Sequence, residues 1–158
     1  MFRGHYEHAI DAKGRTSVPS RFRDVLAGDA LSSAGTNGEL RIVITSGVDP
    51  CLLAYPMKEW LAFEAKLASL PKFDPAVTMI RRIYLSGAVE TEIDKLGRLL
   101  VPKELRDVAG LEREAMWAGM GDHIELWSKE RFAAVRESAI STEAKRLEIS
   151  KRLAELGL

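Results

Sequence analysis

Residues 10–19 read Ile10-Asp11-Ala12-Lys13-Gly14-Arg15-Thr16-Ser17-Val18-Pro19, and residues 93–102 read Ile93-Asp94-Lys95-Leu96-Gly97-Arg98-Leu99-Leu100-Val101-Pro102. One pattern is written twice, and that repetition decides the fold. Working outward, residues 4–25 align without gaps on residues 87–108 at an offset of 83, with eleven of 22 positions identical. Tyr55 and Trp60 then echo Trp127 and Phe132 at an offset of 72, so the first copy holds eleven extra residues. The loop-like stretch 28–38, with its glycines and serines, is the expected place for them. Two copies are too few for a solenoid, and each is too short to bury much by itself. The pair is expected to close into one pseudo-symmetric domain.

Within a copy, Tyr6–Ile10 has strand character, and Thr16–Val18 resumes it beyond Lys13-Gly14. Gly14 and Gly97 can take the positive φ that a tight hairpin turn requires. Pro19 and Pro102 each stand where a short helix would begin. The expected inward faces are Phe22, Val25 and Leu26 in the first helix and Leu105 and Val108 in the second, which Gly110 stops. Two further strand-like runs follow each helix: 40–45 with 52–55, and 115–118 with 124–127, the latter pair joined by a turn at Gly121-Asp122. Between the copies, 56–70 reads as an amphipathic helix with Met57, Trp60, Leu61 and Leu67 on its apolar side, ended by Pro71. Asp74-Pro75 signals another helix, reaching Leu85. Ser128 is the expected cap of a last helical region with apolar positions at Phe132, Val135, Ile140, Leu147 and Leu153.

Composition narrows the function classes. In 158 residues, 23 basic side chains balance 23 acidic ones, so no global positive field marks a nucleic-acid binder. Residues 1–26 nevertheless carry Arg3, Lys13, Arg15, Arg21 and Arg23 against Glu7, Asp11 and Asp24. Such a local excess becomes useful for DNA if several subunits present the same face together. The single cysteine, Cys51, excludes an internal disulfide framework and a cysteine-based zinc site. The longest apolar run, 51–55, is far short of a membrane span, and no apolar signal core follows Met1. A soluble, cytoplasmic protein is expected.

The chemistry concentrates in the pairs Asp11/Arg15 and Asp94/Arg98. Across a turn centred on Lys13-Gly14 or its equivalent, the carboxylate can hold the guanidinium in a fixed orientation. An arginine held so at a hairpin tip suits a phosphate, or guanine O6 and N7 in a major groove. The same pair can also serve as a clasp that merely staples the hairpin. His5 and His8 point to opposite faces of a strand and His123 is remote, so no metal site is expected. Cys51 reads as a small packed hydrophobe. No G-x-S-x-G, P-loop or H-E-x-x-H pattern is present, and Gly119-Met120-Gly121 reads as a hairpin end. No enzyme activity, cofactor or small-molecule substrate is expected.

Four stretches together resemble the MraZ family along the whole chain. They are Met1-Phe2-Arg3-Gly4, Ile10–Arg15 with Val18-Pro19, Leu52-Leu53-Ala54-Tyr55-Pro56, and Leu85-Ser86-Gly87-Ala88 before the second Asp-x-x-x-Arg. The resemblance implies an α+β fold with two tandem swapped-hairpin, SpoVT-AbrB-like repeats forming one pseudo-two-fold β-barrel with outer helices. It divides the chain into a first repeat at 5–56, connecting helices at 57–85, a second repeat at 86–129 and a C-terminal helical region at 130–158. It also implies a nucleoid-associated transcriptional regulator, assembled as a ring-like homo-oligomer on double-stranded DNA. The implied target is tandem G-rich repeats in the promoter of the division and cell-wall gene cluster. The family's Asp-x-x-x-Arg motif falls on Asp11/Arg15 and Asp94/Arg98. Arg15, Lys13, Arg3 and Arg98 are then the expected DNA contacts, with Asp11, Asp94, Gly14 and Gly97 shaping the turns. The second tip departs from the first: Leu96 replaces Lys13, and a lysine is shifted to Lys95. A scaffold protein whose Asp/Arg pairs only stabilise hairpins is the alternative.

Overall fold

The computed structural model describes residues 1–158. In chain order its elements are β1 (His5–Ala9), β2 (Arg15–Ser17), α1 (Ser20–Ala27), β3 (Leu40–Ser46), β4 (Leu52–Pro56), α2 (Met57–Ala68) and α3 (Pro75–Ile80). A π-helical turn at Arg81–Leu85 follows α3. Then come β5 (Val89–Ile93), β6 (Arg98–Leu100), α4 (Lys103–Ala109), β7 (Glu114–Gly119), β8 (Ile124–Ser128), α5 (Lys129–Ile140) and α6 (Glu143–Glu155). The class is α+β, as the sequence predicts.

β3 with β4 and β7 with β8 pair as chain neighbours, but β1, β2, β5 and β6 do not choose the partners that chain proximity suggests. β1 and β2 meet at a single bridge, Ile10–Thr16, instead of forming a hairpin ladder. β1 instead runs antiparallel to β7 of the other repeat, β5 to β3, and β2 to β6. The result is a six-stranded sheet in the order β1-β7-β8-β4-β3-β5 and a separate two-stranded ribbon, β2–β6. The sheet is antiparallel and not closed: β1 and β5 are its edges. The glycine turns after Ile10 and Ile93 lead the chain from β1 and β5 into the β2–β6 ribbon.

The duplication is preserved in the pairing register. Tyr6 faces Trp117 while Val89, its equivalent at the offset of 83, faces Ile44. In the ribbon, Thr16 faces Leu99, and these two are themselves equivalent, so a local two-fold passes through their pair. Ile44 and Trp117 hold matching register positions opposite Ala54 and Leu126. By this pairing most of the extra residues of the first copy lie between α1 and β3. One lies instead in the β3–β4 connection, so the stretch 28–38 does not hold all eleven.

Both copies feed one core. Phe2, Phe22, Leu26, Ile42, Ile44 and Leu52 pack with Leu99, Val101, Trp117, Ile124 and Leu126, all nearly inaccessible. α1 and α4 start after Pro19 and Pro102, and Gly110 ends α4 in the left-handed region with φ 62°. The first turn of α2 is capped from a distance. Ser32 Oγ accepts from Met57 N (2.9 Å) and donates to Asp29 Oδ2 (2.7 Å), which also accepts from Lys58 N.

Two expected faces are corrected by this packing. Leu61 is 45% exposed, whereas Met57 and Trp60 of the same helix pack on Val43 of β3 and Leu67 is buried. In α4 the inward positions are Leu105 and Ala109, whereas Val108 is 55% exposed. Ser128 ends β8 and immediately precedes α5, the place where the sequence expects a helix cap. Residues 129–158 form a second compact unit, of two helices broken at Ser141 and Thr142. Thr142 Oγ1 accepts from Lys145 N and caps α6. Val135, Ile140, Leu147 and Leu153 are exposed there.

Candidate nucleic-acid interface

Each Asp-x-x-x-Arg segment folds on itself through its own polar groups. Asp11 N–H donates to Arg15 O, and Gly14 N–H donates to Asp11 O, both at 2.9 Å. Asp11 Oδ1 accepts from Lys13 N and Arg15 N at 2.9 Å each, and Oδ2 accepts from Arg15 Nε at 2.7 Å. The second tip repeats the set: Asp94 Oδ1 accepts from Leu96 N and Arg98 N at 2.9 Å, and Oδ2 from Arg98 Nε at 3.0 Å. Arg98 Nη2 also reaches Asp94 Oδ2 at 2.9 Å. The backbone N–H of Arg15, then its side chain, hold the Asp11 carboxyl down at about 2. The equivalent backbone donor lowers Asp94 in the same direction. Both carboxylates are therefore ionised at neutral pH and orient the guanidinium beside them.

Gly14 and Gly97 have φ of 86° and 78°, the left-handed values the turn needs. A second constraint comes from across the repeats. Arg106 of α4 lies against Gly14, and Arg23 of α1 lies against Gly97. Each arginine is anchored on its own repeat, Arg23 Nε donating to Val18 O (3.2 Å) and Arg106 Nε to Val101 O (3.1 Å). Two backbone bonds reinforce the exchange, Val18 N to Gly97 O and Val101 N to Gly14 O. The reading of the motifs missed this pair of arginines. The signal was present in the repeat, where Arg23 and Arg106 are an identical, aligned pair.

The ribbon brings Arg15 and Arg98 onto one surface. In β2–β6, Thr16 and Leu99 are 1% exposed and point inward. Successive residues of a strand alternate between faces, so Arg15, Ser17, Arg98 and Leu100 point outward together. Arg15 stands opposite Leu100 and Arg98 opposite Ser17, making the arginines diagonal neighbours, roughly 7–8 Å apart. Their side chains are about one-third accessible. Lys13 is exposed at the first tip, and Lys95 and Leu96 at the second. Arg3 is not brought to this surface. It precedes β1 at the end away from the Asp11 turn, with roughly 25 Å of extended chain between.

The other singled-out residues go elsewhere. Cys51 is buried, and burial pushes its thiol up to about 12. His123 Nδ1 lies 2.7 Å from Asp122 Oδ1, and its ring stacks on Tyr55 with centroids 5.1 Å apart. Desolvation lowers the pKa of His8. No group of three or more His, Cys, Asp or Glu side chains is placed to hold a metal ion. No helix is long and apolar enough to cross a membrane.

Comparison with known proteins places similarity over the full length. A family model described as "MraZ protein, putative antitoxin-like" matches residues 1–83 and again residues 84–154, once per repeat. The chain is 39% identical over 159 residues to a protein of Acetivibrio thermocellus named Transcriptional regulator MraZ, covering 100% of both chains. It is 40% identical over 158 residues to the protein of that name from Pelotomaculum thermopropionicum, covering 100% and 99%. It is 43% identical over 141 residues to that of Burkholderia mallei, covering 89% of this chain and 92% of the relative.

Proposed function

The chain belongs to the MraZ family, and from that premise we propose that it is a DNA-binding transcriptional regulator. One observation carries the proposal beyond the relatives' names. Two guanidiniums, each oriented by an ionised carboxylate, share the outward face of a two-stranded antiparallel ribbon. A major groove admits a ribbon of that kind, and arginine is the side chain that pairs in bidentate fashion with guanine. The proposed target is double-stranded DNA carrying tandem G-rich repeats in the promoter of the division and cell-wall gene cluster. Arg15 and Arg98 read guanine, and Lys13 meets phosphate. Asp11 and Asp94 position the arginines. Arg3, lying off the ribbon face, contacts backbone only where the DNA extends past the ribbon.

A formally neutral chain neutralises few phosphates, so useful affinity calls for several copies acting together. We therefore place the protein in a ring-like homo-oligomer that engages successive repeats at once. In this assignment it acts at the nucleoid and performs no enzymatic reaction. The pseudo-two-fold of the paired repeats supports a swapped-hairpin origin, with the open sheet and ribbon standing where a barrel would close.

The test is binding of the full chain to duplexes carrying one or several copies of a G-rich repeat, followed by fluorescence anisotropy. Multi-repeat DNA should bind far more tightly than single-repeat DNA, with affinity falling steeply between about 50 and 200 mM salt. Equal affinity for both duplexes would remove avidity from the mechanism. Failure to bind either, with the protein folded, would leave the Asp/Arg pairs as hairpin clasps in a scaffold.

A further inference from the structure

We infer that Leu100 is a specificity-determining residue that meets the C5-methyl group of a thymine beside the guanine read by Arg15. The inference rests on the ribbon being the DNA-reading face. Three relations carry it. Leu100 stands directly opposite Arg15 in the β2–β6 register, so their side chains lie side by side on the outward surface. It is 50% exposed although the sheet and core offer abundant apolar cover, and its neighbour Leu99 is 1% exposed. Under the offset of 83, its counterpart in the first repeat is Ser17, opposite Arg98.

The local two-fold is therefore obeyed by the arginines and broken by the residues beside them. The first repeat presents Lys13, Arg15 and Ser17 at alternate positions, and the second presents Leu96, Arg98 and Leu100. Leu96 is 73% exposed, so the second hairpin offers an apolar group on either side of its arginine in sequence. Among the groups a major groove displays, the thymine methyl is the apolar one, and aliphatic side chains recognise it. A polar half and an apolar half, related by a two-fold, would favour an asymmetric target in which guanine on one side is accompanied by thymine. A palindrome would present the same chemistry to both halves and satisfy only one of them.

The experiment uses the full chain and a random-core duplex pool prepared in two forms, with thymine or with uracil, which lacks only the methyl. Sites enriched by the wild-type protein from the thymine pool should carry thymine beside guanine. The same sites made with uracil should bind about fourfold more weakly, the factor expected for one buried methyl group. Leu100→Ser copies the residue of the other repeat at an exposed position and should bind both forms equally, keeping its preference for guanine and its sedimentation behaviour. Leu96→Lys, tested alongside, should weaken the discrimination less than Leu100→Ser. Equal binding of thymine and uracil sites by the wild type would overturn the inference while leaving DNA binding intact. So would a Leu100→Ser variant that keeps the discrimination but changes in oligomeric size, since Leu100 would then be an assembly contact. Enrichment of no sequence and binding to neither pool would overturn the DNA-binding function itself, and this inference with it.

Discussion

Arg106 Cζ lies so close to Gly14 that a Cβ built on the glycine would come within 2.7 Å of it, and Arg23 Cζ stands 2.8 Å from the same position on Gly97. Each turn that carries a candidate DNA-binding arginine is thus closed by a guanidinium from the other repeat. The turn's shape is local, but its placement is shared between residues more than seventy positions apart in the chain.

Gly14→Ala and Gly97→Ala should each destabilise the protein by about 2–3 kcal/mol, combining a strained left-handed alanine with displacement of the facing arginine. Gly38 also has a positive φ, 77°, but nothing lies within 4 Å of a Cβ there. Gly38→Ala should therefore cost only about 1 kcal/mol. Urea unfolding of the three variants measures the difference, and equal losses at all three would deny the arginine its role.

Arg15→Ala should remove specific DNA binding while leaving fold and assembly unchanged. A good arginine–guanine contact is worth about 1–3 kcal/mol, and the loss is repeated in every subunit. Arg98→Ala should cost less, because its tip carries Leu96 in place of Lys13 and residues 91–109 are charge-balanced. Mobility-shift assays with light scattering on the same samples compare the two. A larger binding loss for Arg98→Ala, at constant oligomer size, would reverse the asymmetry.

The clasp makes stability depend on acid. Because folding depresses the Asp11 carboxyl from 3.8 to about 2, its contribution is present above pH 4 and lost as the pH falls through about 2. Asp94 acts in the same direction. Asp11→Asn should flatten the fall in urea midpoint between about pH 4 and pH 2, and a carboxyl NMR titration should place Asp11 well below an ordinary aspartate. An unshifted Asp11 carboxyl would remove the turn bonds as the cause.

Ser32→Ala should destabilise by about 1–3 kcal/mol, since the hydroxyl is fully buried and its loss orphans the Met57 N–H at the start of α2. Thermal unfolding reads this directly. DNA affinity measured well below the transition should be unchanged, because the ribbon lies on other elements.

Much of the molecule was legible along the chain because its information is local. The Asp–Gly–Arg turn satisfies itself within five residues, so two copies of the pattern announced two copies of the turn. Pro19, Pro102 and Gly110 mark helix ends by their own backbone restrictions, wherever the helices pack. The repeat also contained Arg23 and Arg106, but nothing in their spacing says that each serves the other copy's glycine.

What the tertiary structure alone decided is partnership. The offset of 83 shows that β1 and β5 are equivalent, not that β1 pairs with β7 and β5 with β3. Likewise α2 offers an apolar Leu61, and only the packing that seats Met57 and Trp60 on Val43 shows that it stays exposed. Arg15 and Arg98 share a surface because β2 and β6 pair around Thr16 and Leu99, burying that central pair and turning their neighbours outward. Backbone turns are set by hydrogen bonds among neighbours in sequence, whereas strand partners and exposed faces are set by which apolar surfaces can be buried together. The chain therefore wrote the two tips itself, and their convergence on one face came from the shared core.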